Sequence, residues 1–120
     1  MGGKASRDKG QRGEREVCKL MGDALGVSLD RELDQTRDGG TDIIYEHFAV
    51  EVKRQEVLCI DKWWEQTCRQ AKAIEKHPIL LFRRSREPWR CLMPISLTQD
   101  PSIHYMHTDF DYMIERIKFT

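Results

Sequence analysis

No run of apolar residues in this sequence approaches the ~20 needed to cross a bilayer, so a helical membrane span is excluded. Neither sign of charge is in excess. Lys+Arg 20 balances Asp+Glu 20, which excludes a uniformly basic nucleic-acid binder. Any hold on a polyanion must then come from cations clustered locally. There is no C-x-x-C among Cys18, Cys59, Cys68 and Cys91, so neither a zinc ribbon nor a thioredoxin-like motif is supported. All four read as reduced thiols of an intracellular protein. The opening MGGKASRDKGQRGERE is basic and has no apolar stretch, so it does not read as a secretory signal. No internal repeat is present.

What remains is one domain's worth of chain. Its 120 residues are 39% hydrophobic and 33% charged, the balance of a globular protein. A fold of this size buries roughly two-thirds of the surface its unfolded chain exposes. Residues 1–12 carry Gly2, Gly3 and Gly10 with the cations Lys4, Arg7, Lys9 and Arg12, and show no periodicity. They read as a flexible basic arm, either solvated or laid on phosphates, ahead of a single domain over residues 13–120.

From Glu14 to Leu25 the apolar positions Val17, Leu20, Met21, Ala24 and Leu25 follow helical spacing, and Gly26 suits the C-cap. Val27 to Gln35 has room for a short strand. Asp38-Gly39-Gly40 marks a turn. Asp42 to Tyr45 and Phe48 to Arg54 read as the two strands of a hairpin. Asp61 is the expected N-cap of a helix reaching about Lys76. Strands follow at Ile79–Phe82, around Trp89–Met93 and at Ile103–His107, and a last helix spans Phe110 to Ile117. That order predicts an α/β domain with a mixed β-sheet flanked by helices.

The chemistry concentrates in Gly40-Thr41-Asp42 and Val50-Glu51-Val52-Lys53. Strand side chains alternate, so Glu51 and Lys53 share one face while Phe48, Val50 and Val52 anchor the other. Pairing of the hairpin brings Asp42 beside Glu51. Two carboxylates placed together repel unless a cation sits between them. Mg²⁺ suits such a pair, because it takes oxygen ligands and is content with one or two carboxylates plus substrate phosphate. It would activate a water and polarise a phosphoryl oxygen, and Lys53 would orient that water or meet the developing charge. Glu14, at the start of the first helix and near the edge of its apolar stripe, is a third acid within reach.

Other candidates carry less. On a strand, His104 and His107 face opposite sides and cannot share a metal. Trp63, Trp64 and Trp89 read as core, with base stacking as the rival. Arg83, Arg84 and Arg86 form a basic turn that is either solvated or in contact with phosphate.

Taken in order, Lys9-Gly10, Glu14-Arg15, DGGTDI, EVKRQE, RQA and PILLFRR resemble the PD-(D/E)xK nuclease superfamily. Within it, the chain is most similar to the archaeal-type Holliday junction resolvases and their small phage relatives, over residues 9–94. The resemblance implies a restriction-endonuclease-like core and a metal-dependent endonuclease acting on branched DNA, with Mg²⁺ or Mn²⁺ as cofactor. It implies that Asp42, Glu51 and the Val52 carbonyl ligate the metal, that Lys53 acts on the attacking water and that Glu14 supports a second metal or a metal-bound water. It also implies a glutamine on the second helix. Gln70 and Gln66 both qualify, and Gln70, nearer the apolar stripe, is the one expected to complete the site. Thr41 stands where the family pattern has proline, a position that shapes backbone and ligates nothing.

The same resemblance makes Lys4, Arg7, Lys9, Arg12, Arg37 and Arg54 the expected DNA contacts, with Arg37 otherwise a turn-solvating cation. Cutting two opposed strands implies a symmetric homodimer, for which Tyr112, Met113, Ile117 and Phe119 are candidates unless they pack a terminal helix. The expected setting is the cytoplasm, phage-encoded in a bacterial host. A nicking, flap-cutting or restriction-like nuclease would use the same site, and a catalytically inactive DNA-binding module would keep the fold without the chemistry.

Overall fold

The structure, a computed structural model, describes residues 3–32 and 40–120, with side chains from Lys9 onward. Helix α1 spans Gly3–Leu25. Strand β1 (Ile43–Tyr45) turns into β2 (Phe48–Arg54), and α2 (Ile60–Ala73) leads into β3 (His77–Arg83). Strands β4 (Arg90–Pro94) and β5 (Tyr105–Asp109) follow, and α3 (Phe110–Lys118) ends the chain.

The five strands form one sheet in the order β1-β2-β3-β4-β5. Only β2 and β3 run parallel, because α2 carries the chain back between them. The other pairs are antiparallel, so the sheet is mixed as expected.

Each face of the sheet has its own core. Val50, Val52, Ile79, Leu81, Cys91 and Met93 point to the side covered by α1, through Val17 and Met21, and by α3, through Met113, Ile114 and Ile117. Leu80, Phe82 and Leu92 point to the side covered by Trp63 and Trp64 of α2. Burying one such aliphatic side chain contributes roughly 1.5–3 kcal/mol. All three tryptophans are therefore structural. Met113 and Ile117 are spent on the core, which leaves Tyr112 and Phe119 exposed.

Several elements differ from expectation. Residues 3–12, expected as an aperiodic arm, form the first turns of α1. Lys, Arg, Gln and Ala are good helix formers, and residues 9–12, none of them buried, are helical without an apolar period. Residues 27–32 belong to no strand, and 33–35 lie outside the described residues. Helix α2 starts with Cys59 at its N-cap, without a side-chain cap, and Asp61 falls in its first turn. Gly26 closes α1 as expected. At φ 72° it lets its own N–H and that of Val27 both reach the Gly22 carbonyl.

Candidate active site

Strand β1 is short and pairs only with Phe48, Ala49 and Val50 of β2. The rest of β2, from Glu51 to Arg54, therefore has an open edge on that side. Asp42 closes the first step of it. Its Oδ2 accepts the Val52 N–H at 2.8 Å, standing in for a strand that has ended. A strand residue sends its N–H and C=O to the same side, so the Val52 carbonyl faces this edge as well. The Asp42 backbone is held in turn, since its carbonyl accepts the Glu32 N–H at 2.7 Å.

Period two then delivers Glu51 and Lys53 to the α2 face of the sheet. Glu51 is 5% exposed and Asp42 7%. The Lys53 ammonium stands 4.0 Å from Glu51 Oε2. Helix α1 brings the third acid. Gly13 lacks the Cβ that would come within 3.0 Å of Arg54 Cβ, so α1 lies close against β2 there. The next residue, Glu14, enters the cleft and is held by Arg31, whose Nε donates to its Oε1 at 2.9 Å.

These residues line a cleft of about 500 Å³, shared with Lys9, Arg54 and Glu56. Its electrostatics are strained. Burial, contact with the Asp42 carboxyl and that group's charge together push the Glu51 carboxyl up to about 10, against the pull of Lys53. Burial and the charge of Asp42 also raise Glu14, while Arg31 and Lys53 oppose the shift. Glu51 Oε1 is buried without a hydrogen-bond partner, and so is Arg54 Nε. One is an acceptor lacking a cation or donor, and the other a donor lacking an anion.

That donor set suits a hard divalent cation held by two carboxylates and a carbonyl: Asp42, Glu51 and Val52. Among the described residues, no three His, Cys, Asp or Glu side chains already converge as a metal-holding group. Glu14 is engaged with Arg31 and does not close on the other two acids.

The remaining candidates are scattered. Gln70 and Gln66 are half-buried on α2 and neither lines the cleft. Arg12 is exposed on α1. Lys4 and Arg7 lie on the α1 backbone, but their side chains, like all of Arg37, fall outside the described residues. Arg83 is withdrawn from any phosphate role. Its guanidinium forks onto Glu16 with both bonds at 3.1 Å and lies 5.2 Å from the Trp89 ring centroid. Two residues of the site escaped the sequence reading, Arg31 and Glu56. Each is one charge in a mixed run, and only its partner, 17 or 47 residues away, gives it meaning.

Among the described residues, no helix is long and apolar enough to cross a membrane. The fold is similar to that of Hjc from Archaeoglobus fulgidus, a Holliday junction resolvase from an archaeal hyperthermophile. The TM-score is 0.52 at 21% identity, over 91% of this chain and 88% of that one. The restriction-endonuclease-like α/β core expected from the sequence is thus the fold observed. No curated protein sequence matches the chain. A family model described as "Phage putative PDDEXK endonuclease" matches residues 5–120, so the protein belongs to that endonuclease family.

Proposed function

We propose that the protein is a divalent-metal-dependent DNA endonuclease that cuts branched DNA, with the four-way junction as its substrate. The observation that carries this reading is the orphaned acid of the cleft. Glu51 Oε1 is a buried acceptor without a donor, in a cleft shared with Asp42 and Lys53. A divalent cation satisfies it and draws a phosphodiester to the same place. The fold likeness to a Holliday junction resolvase supports the branched substrate.

Asp42, Glu51 and the Val52 carbonyl hold Mg²⁺ or Mn²⁺. When bound, the cation supplies a Lewis acid for a phosphoryl oxygen and lowers the pKa of water. Lys53, beside Glu51, orients the attacking water or meets the charge that develops on the phosphate. Arg54 seats a phosphate oxygen. Glu14 contributes from α1 once it leaves Arg31. Cutting two opposed strands requires two such clefts, so the working form is a symmetric homodimer.

The test is cleavage of a labelled four-way junction beside a matched linear duplex, in Mg²⁺ and in EDTA. Paired, metal-dependent cuts in the junction alone are expected. Asp42→Asn and Lys53→Ala should each lose at least a hundredfold in rate while circular dichroism stays unchanged, on the order of the effect of removing one positioned electrostatic group. Activity retained in both variants overturns the site. Cutting of both DNAs makes the protein a general nuclease, and binding without cutting makes it a DNA-binding module.

A further inference from the structure

The cleft holds a fourth acid that does not belong with the other three. Glu56 follows β2, in the loop before α2, and its carboxylate is turned to the rim. One oxygen, Oε2, takes Lys9 Nζ at 2.9 Å, Ser85 Oγ at 2.8 Å and the Ser85 N–H at 3.2 Å. A fixed negative charge at the mouth of a cleft that must admit a phosphodiester is unfavourable by itself. It also occupies Lys9, the one α1 cation among the described residues that lines the cleft. The pair is open to solvent, with the Glu56 side chain 51% exposed and that of Lys9 28%, so its partners can exchange.

We propose that Glu56 is a charge mask on Lys9. While the ion pair holds, Lys9 is withheld from the DNA backbone. The same carboxylate is tied to Ser85, in the turn between β3 and β4 that carries the exposed Arg84 and Arg86. The mask therefore lowers affinity for a DNA whose phosphates reach Lys9. This inference rests on the DNA reading above.

Its test is a salt series of binding titrations, full-length protein against a labelled four-way junction in EDTA. Glu56→Gln removes the charge and keeps an amide oxygen for Ser85. It should bind several-fold tighter at low salt. Its plot of log K against log salt should steepen by about 0.9, the signature of one added phosphate contact. Adding Lys9→Ala should take that gain back. Ser85→Ala loosens the turn but leaves the charge, and should keep the wild-type slope. A wild-type slope in Glu56→Gln overturns the mask, and so does a gain that survives Lys9→Ala. Wild-type protein that binds no DNA at any salt overturns the DNA reading itself, and the mask with it.

Discussion

With its carboxyl pushed up to about 10, Glu51 keeps a proton in the folded, metal-free protein that the unfolded chain releases above its ordinary value of 4.5. Between those values the folded state binds more protons than the unfolded one, so stability falls as pH rises. Glu51→Gln replaces the carboxyl with a neutral amide of the same shape. In EDTA at pH 8 the variant should melt higher than the wild type, and its melting temperature should decline less between pH 5 and 9. Cleavage in Mg²⁺ should be lost. A variant that melts lower than wild type across this range would mean that Glu51 serves the fold and not the site. At this scale much of the site was legible. Asp42, Glu51 and Lys53 follow from period two and one hairpin, and Glu14 from a helical wheel. Arg31 and Glu56 did not follow, because an ion pair between a loop and a distant helix has no period to read. The wheel placed Gln70 at the edge of the α2 stripe, where it is half-buried, and a wheel alone does not say whether it reaches the metal site.

Helix α1 has two glycines near the cleft, and they predict opposite outcomes. A Cβ on Gly10 would meet nothing within 4 Å, so Gly10→Ala should stabilise the helix by up to about 1 kcal/mol. A Cβ on Gly13 would stand 3.0 Å from Arg54 Cβ, an atom fixed by the β2 backbone. Gly13→Ala gains the same helix propensity but must lift α1 from β2, taking Glu14 and the mouth of the cleft with it. Cleavage should therefore fall in Gly13→Ala and hold in Gly10→Ala, with thermal melts of both reporting the helix. Equal activity in the two would show that the approach of α1 does not set the site. Elements with a strong apolar period were legible almost to the residue, as β2 over Phe48–Arg54 and α3 from Phe110 show. The first turns of α1 were not, since none of residues 9–12 is buried and nothing printed a stripe on them.

Across the whole molecule, one polar cluster ties the first helix to the middle of the sheet. Glu16 of α1 accepts both Arg83 bonds from the end of β3 and the Trp89 indole N–H, at 2.9 Å, from just before β4. The partners lie 67 and 73 residues from Glu16, so this junction forms only when the sheet and helix have already met. Arg83 is 9% exposed and Trp89 7%. Glu16→Ala leaves a nearly buried guanidinium without its counter-charge and an indole without an acceptor, and should cost about 2–4 kcal/mol in urea unfolding. Arg83→Ala should cost a similar amount. The double variant should cost clearly less than the sum, because neither charge is then left alone. Additive losses would mean that the two side chains act separately and that packing, not the pair, holds α1 down. Glu14 lies two residues from Glu16 on the same helix, so cleavage should track stability in Glu16→Ala, and Glu16→Gln, which keeps an acceptor for Trp89, should restore part of both.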